Sequence, residues 1–347
     1  MFLICRQGNH PLNRLHNLRN ALRVPVKTRR CQTVKRENMP VTPNSAPTFQ
    51  PLTSLYEPSA IQQLPDGRFL VVEDEKDHSF SLLTFKPSGD VSSKPLGPGW
   101  FHGGDPIWKL DDLEGLTLDS TGRHYAITSH SRNDDGDAQK GREKLARFRI
   151  EKDRVVEAVV VGGLKPALVA AHAVLAAAAQ VLDAKAGAGL NIEALEITPD
   201  GQRLLIGFRS PLQGSQAIIA SIDNPAAVFD SAAAPHIGNL LQTLDLGGHG
   251  IRGMSYVAAL HGYLIISGPA SRERHAFGLW FWSGNADAPA RCVTVPGLAG
   301  FERAEGVCPA VFDGVTKILI VSDDGDRKQG QFARFVLLEL AQLHIAT

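Results

Sequence analysis

From about residue 50 onward, short apolar runs alternate with turn-forming residues at regular intervals. Phe69-Leu70-Val71-Val72, Leu204-Leu205-Ile206, Tyr263-Leu264-Ile265-Ile266 and Ile318-Leu319-Ile320-Val321 are too short for amphipathic helices and rich in β-formers. Such runs suit strands covered on both faces, where strict alternation is not needed. A turn precedes each of five such strands: Pro65-Asp66-Gly67, Asp119 to Gly122, Pro199-Asp200-Gly201, His261-Gly262 and Asp313-Gly314. Glycine there supplies the positive φ of a tight hairpin. Before each turn lies another apolar strand opening on an entry motif. The five motifs are Glu57-Pro58-Ser59-Ala60-Ile61, Asp112-Leu113-Glu114-Gly115-Leu116, Asn191-Ile192-Glu193-Ala194-Leu195, Gly250-Ile251-Arg252-Gly253-Met254 and Arg303-Ala304-Glu305-Gly306-Val307.

Counted between Glu57, Glu114, Glu193, Arg252 and Glu305, the copies are 57, 79, 59 and 53 residues apart. Each interval holds one four-stranded blade of roughly 40–50 residues with its loops. The pattern therefore predicts an all-β chain folded as a β-propeller. Five blades are favoured; six is the alternative if the N-terminal region holds a degenerate unit. Further strands are expected at 80–85, 145–150, 155–161, 217–222, 279–282, 292–295 and 332–338. The last copy lacks an outer strand, which Thr48–Leu55 could supply by pairing the two chain ends and removing an exposed edge. Glycine or alanine after the entry residue suits an innermost strand crowded against an axis. A β-sandwich with a coincidental repeat is the rival architecture.

The long interval contains an Ala-rich helical insertion near 165–186. Leu168, Leu175 and Leu182 recur there every seven residues, predicting one straight helix with a buried stripe. No segment has the roughly 18 uninterrupted apolar residues of a membrane-spanning helix.

A hairpin places the start of its first strand beside the end of its second. The entry residues should therefore share one mouth of the channel with the strand exits Glu73-Asp74-Glu75, Ser129-His130-Ser131-Arg132, Arg209-Ser210-Pro211, Ser267-Gly268-Pro269 and Ser322-Asp323-Asp324-Gly325-Asp326. Crowded carboxylates need a cation, an arginine or a proton between them. One reading is a hard divalent cation, Ca²⁺ or Mg²⁺, on Glu57, Glu114, Glu193, Glu305 and Asp323. Glu114, Glu193 and His130 would then be catalytic, and Arg132, Arg209 and Arg252 would hold an anion. The other reading is a structural Glu/Arg ring that fixes the register of the blades. No Gly-x-Ser-x-Gly elbow and no His-Glu-x-x-His occur. The acidic turn at Asp323 lacks the later glutamate of a calcium-binding EF-hand loop.

Charge changes the picture only at the start of the chain. Of 347 residues, 36 are Lys or Arg and 36 are Asp or Glu. Residues 1–38 hold nine of the basic residues against Glu37 alone, so the remainder carries an excess of eight acids. That balance argues against nucleic acid as a partner. Residues 1–45 are expected to be a basic leader outside the propeller of 46–345. It is read as a disordered tail, an upstream start codon with Met39 as the alternative, or an organellar transit peptide. The expected location is accordingly cytoplasmic, or organellar if the leader is genuine. Cys5, Cys31, Cys292 and Cys308 show no metal-ligand or redox spacing.

The run Gly189 to Glu193 followed by Leu204 to Pro211 resembles the domain of unknown function 3616 family. The stretches at Asp112, Gly250 and Arg303 are similar to that family's other signatures, with Ala194 where the family pattern would favour glycine. The resemblance covers about residues 50–340 and implies a propeller with no assigned activity. The Glu-Gly pattern is also similar to phytase-like and calcium-dependent phosphohydrolase propellers. The expected function is a divalent-metal-dependent hydrolase, of phosphoester or lactone type, acting on a phosphorylated or anionic small molecule. The alternative is a non-catalytic propeller that binds a protein or ligand.

Overall fold

The computed structural model describes residues 46–347 except 75–78, 87, 89, 99–103, 184–186 and 272–276. The basic leader, Met39, Cys5, Cys31 and Glu75 lie outside the described residues.

After a two-residue strand β1 (Gln50–Pro51), the chain lays down five blades in sequence order. Blade I contains β2 (Pro58–Gln63), β3 (Phe69–Glu73), β4 (Phe80–Phe85) and β5 (Val91–Pro95), and blade II β6 (Leu113–Leu118), β7 (His124–Thr128), β8 (Leu145–Glu151) and β9 (Arg154–Val161). Blade III contains β10 (Asn191–Ile197), β11 (Leu204–Ser210), β12 (Ala217–Ile222) and β13 (Gln242–Leu244). Blade IV contains β14 (Gly250–Val257), β15 (Gly262–Gly268), β16 (Gly278–Trp282) and β17 (Arg291–Thr294). Blade V contains β18 (Ala304–Phe312), β19 (Val315–Ser322) and β20 (Arg334–Glu339); a last strand, β21 (His344–Ile345), crosses back to pair with β17. The molecule is a five-bladed β-propeller.

Blade V takes its fourth strand from the other end of the chain, with Gln50 opposite Phe335 and Pro51 opposite Arg334. The ring thus closes as the sequence predicted, by a contact of two residues. Five apolar clusters fill the five gaps between neighbouring blades. Leu70, Phe80, Leu116 and Phe148 lie between I and II, and Ile206, Ile218, Ile127 and Leu195 between II and III. Ile251, Ile265, Ile219 and Trp282 lie between III and IV, Ile266, Leu279, Ile318 and Val336 between IV and V, and Phe69, Val71, Leu319 and Val321 between V and I. Because every blade is covered on both sides, its strands read as continuous apolar runs.

The insertion is two helices, α1 (Leu164–Ala171) and α2 (Ala173–Ala179), where the sequence predicted one. His172 interrupts them in an extended conformation (φ −138°, ψ 121°), and its ring is 2.9 Å from the Gly238 carbonyl oxygen. Leu168 and Leu175 are buried as the heptad spacing requires, but Leu182 lies beyond the helix end and is 63% exposed. A seven-residue stripe holds only along an unbroken helix. A third helix, α3 (Pro225–Asp230), packs Val228 and Phe229 into the gap between blades II and III. Among the described residues no helix is long and apolar enough to cross a membrane.

Candidate functional site

All five innermost strands carry a β-bulge at the same place. The ladder skips one residue between Pro58 and Ala60, Leu113 and Gly115, Ile192 and Ala194, Ile251 and Gly253, and Ala304 and Gly306. The skipped residues are Ser59, Glu114, Glu193, Arg252 and Glu305. A bulge releases one residue from the pleat and re-aims its side chain, and here it does so at five equivalent points around the axis. The small residue that follows is forced by crowding. A Cβ on Gly253 would lie 1.8 Å from the Glu305 carbonyl oxygen, and one on Gly115 would lie 2.7 Å from the Leu195 backbone nitrogen.

This register corrects the alignment of the first motif. Ser59, not Glu57, is the equivalent of Glu114, and Glu57 falls two residues earlier at the position of Asp112. Glu57 is half-buried there, and its carbonyl oxygen accepts the Asp74 N–H at 3.1 Å. The proline after Glu57 imitated the motif; the alternation of inner-strand side chains decides against it.

Deep in the mouth, Arg252 is buried between two glutamates. Its Nη1 is 3.0 Å from Glu193 Oε1 and 2.8 Å from Oε2, while Nη2 pairs with Glu305. Glu193 Oε1 also accepts from Arg209 Nη1 at 3.1 Å and from Asn191 Nδ2 at 3.0 Å. Burial lowers the Arg252 pKa, against the pull of Glu193. Burial opposes the charged form of Arg209 as well, but Glu193 outweighs it and raises that pKa. Asp323, half-buried at the rim of this group, is raised by burial, with Arg252 and Arg303 opposing.

A second group lies beside the first. One carboxylate oxygen each from Asp74, Asp112 and Glu114 converge within 4.8 Å of one another. Asp112 is anchored: Ser129 and Ser131 donate their hydroxyls to Oδ2, and Arg142 Nη1 is 3.0 Å from the same oxygen. It holds this place with φ of 65°, a left-handed conformation that aspartate tolerates at some cost. Asp74 and Glu114 have no arginine or lysine at ion-pair distance among the described residues. Glu114 is held well above the usual carboxylate range by burial, then by Glu193, Asp112 and Asp74. Asp74 keeps an exposed side at the mouth, and its carboxyl is raised by the water it loses on the cavity side and by Asp112, whose carboxyl is close enough to share a proton. Asp74, Asp112, Glu114 and Arg142, with Glu193, Asn191 and Arg209 of the first group and Arg132 and Asn133, line a cavity of about 430 Å³ that opens at the mouth.

The sequence expectations divide on this geometry. Glu114, Glu193, Glu305, Arg209, Arg252 and Asp323 come together. His130 does not join them: it is fully buried, its Nδ1 is 2.8 Å from the Thr128 carbonyl oxygen, and burial lowers its pKa to about 4. The strand exit turns it inward at φ 57° while Ser129 and Ser131 face Asp112. Arg132 lines the cavity, but Nη1 and Nη2 donate to the carbonyl oxygens of Gly136 and Ala179 at 2.9 and 3.3 Å, tying its loop to the end of α2. Arg142 was not foreseen. It lies in the connection after β7, which the topology brings to the mouth.

No match is found among curated proteins. Among solved structures, the chain is similar to a Thermus thermophilus protein described as a putative oxidoreductase (glucose dehydrogenase), at 15% identity and a TM-score of 0.43, covering 84% of this chain and 100% of that one. It is similar to the PQQ-bound aldose sugar dehydrogenase of Streptomyces coelicolor at 16% identity and a TM-score of 0.42, over 86% of this chain and 99% of that one. It is also similar to the Malassezia sympodialis allergen Mala s 1 at 10% identity and a TM-score of 0.41, over 82% of this chain and 79% of that one. Likeness at this level carries no argument about chemistry. The resemblance read from the motifs at Glu193, Arg252 and Glu305 does recur in a family comparison: residues 179–337, which contain all three, match the family described as Protein of unknown function (DUF3616).

Proposed function

We propose that the mouth of this propeller binds a hard divalent cation and, with it, a phosphorylated or otherwise anionic small molecule that it hydrolyses. The observation that carries this reading is the convergence of Asp74, Asp112 and Glu114, two of which lack a basic partner among the described residues. Carboxylate oxygens alone are the donor set of Ca²⁺ or Mg²⁺ rather than of zinc or copper. Asp74, Asp112 and Glu114 would hold the ion in place of the five ligands expected from sequence, because Glu193 and Glu305 are already engaged by Arg252. A cation bound there would polarise a substrate oxygen and acidify a water. Arg209 would face the substrate's negative charge from the same cavity, whose volume suits a small molecule.

Isothermal titration with Ca²⁺, Mg²⁺ and Mn²⁺ tests the cation, comparing wild type with Glu114→Gln. Saturable binding that the variant loses is expected; no binding to wild type overturns the reading. Turnover of a phosphomonoester and lactone panel, with and without EDTA, tests the reaction class.

One observation favours a second reading, a non-catalytic binding propeller. The Glu193, Arg252 and Glu305 cluster is mutually paired and reads as a structural ring. Stoichiometric capture of a ligand or protein, with no turnover across the panel, would support it.

A further inference from the structure

The channel has a second end. Three residues after each bulge stand Gln62, Thr117, Glu196, Ser255 and Cys308, towards the other ends of the inner strands. Four of these five residues are polar, Cys308 packing into the apolar gap between blades V and I, and the one carboxylic acid among them is Glu196. Between the rings the bore narrows to about 10 Å³ among Gly115, Ala194, Gly253 and Gly306, close to the least that holds one water. Below it opens a separate cavity of about 180 Å³, room for several waters or a small molecule.

Glu196 lines this cavity and is 7% exposed. Its Oε1 accepts the Tyr256 N–H at 3.2 Å, while buried Oε2 makes no hydrogen bond. The Thr117 hydroxyl lies against the carboxyl; it accepts the Ile197 N–H at 3.2 Å and keeps its own O–H to offer Glu196. Burial raises Glu196 to about 8. The other acid of the lining, Asp119, is already bonded to the Thr121 hydroxyl, the Tyr125 hydroxyl and two backbone N–H groups. No lysine, arginine or histidine is among the described residues that line the cavity. A buried carboxyl with an unmet oxygen, in a polar cavity of one charge sign, is complementary to a small positive ion with several N–H donors.

We propose that this lower cavity is a binding site for a small primary ammonium compound, with Glu196 as its counter-ion. The alkyl part would rest on the apolar portion of the lining, Leu118, Ile197 and Pro309. The ammonium would donate to the Glu196 carboxylate and to neighbouring oxygens such as Ser255 Oγ. The site is independent of the cation site at the mouth, from which the narrowed bore separates it.

The test is isothermal titration of the full chain at pH 9, where the Glu196 carboxyl is ionised and the ammonium still charged, with ethylammonium chloride against sodium chloride at equal ionic strength. Saturable one-site binding is expected for ethylammonium alone, weakened at least about tenfold in Glu196→Gln. Ser120→Trp, at the exposed rim of the cavity, should also weaken it without touching the carboxyl, and it decides the matter if Glu196→Gln fails to fold. Glu114→Gln, at the mouth, should bind ethylammonium as wild type does. Heats equal to those of sodium chloride, or undiminished binding in the variant that folds, would overturn the proposal.

Discussion

Replacing Arg252 by leucine isolates the electrostatics of the mouth. The guanidinium is buried between Glu193 and Glu305, so its loss leaves two carboxylates in a region from which water is excluded. Glu193 retains Arg209 at 3.1 Å. Glu305 retains no arginine or lysine at ion-pair distance among the described residues and must either remain charged and buried or take a proton. For a carboxyl of ordinary pKa near 4.3, binding a proton at pH 7.5 costs roughly 4 kcal/mol, and at pH 5.5 about 1.6 kcal/mol, at 1.36 kcal/mol per unit. The first figure lies within the ~3–5 kcal/mol typical of breaking one partner from a buried pair. Urea unfolding of wild type and Arg252→Leu at both pH values measures the difference. The variant should be less stable by about 4 kcal/mol at pH 7.5, with more than half of that recovered at pH 5.5. A loss below about 1 kcal/mol at pH 7.5, or an equal loss at both, would refute the reasoning.

Other outcomes follow from the same structure. Asp74 is raised in the folded state, so the stability it contributes is complete below its unfolded value near 4 and is lost as pH rises through the folded value. Asp74→Asn should therefore raise the melting temperature at pH 8 in EDTA and abolish any further rise on adding Ca²⁺; an unchanged Ca²⁺ response would refute its role. Burial lowers His130 to about 4, so its contribution is lost as pH falls from about 6.5 toward that value. His130→Phe should narrow the stability difference between pH 7 and pH 4.5, read from urea midpoints. Gly253→Ala places a methyl against the Glu305 carbonyl and should destabilise by about 3 kcal/mol or more. Gly201→Ala, with φ of 71° but open space, should lose only about 1 kcal/mol by the same denaturation assay.

The repeat was legible because the physics that produces it is local and recurs. Asp-Gly turns, doubly covered strands and small residues at the crowded axis each leave a mark in one short window. The outer strands were less visible. β5 reads Val-Ser-Ser-Lys-Pro and β13 only Gln-Thr-Leu, both pairing through backbone on one edge with little apolar demand. The break at His172 escaped notice because an extended residue inside an alanine run depends on a carbonyl contributed by Gly238, 66 residues away. At the site, composition identified the right charges but not their partners. That Glu193 belongs to Arg252, while Glu114 belongs to Asp74 and Asp112, depends on which neighbouring blade each bulge faces. The slip at Glu57 has the same origin: motif similarity counts residues, whereas a bulge is defined by the strand opposite.

Gln50 and Pro51 form the outer edge of a blade whose other three strands end at Glu339. During synthesis, four blades can assemble while that edge waits for a partner almost three hundred residues downstream. The final blade is then a clasp whose two halves leave the ribosome at opposite times, and the circle cannot close before β20 has emerged.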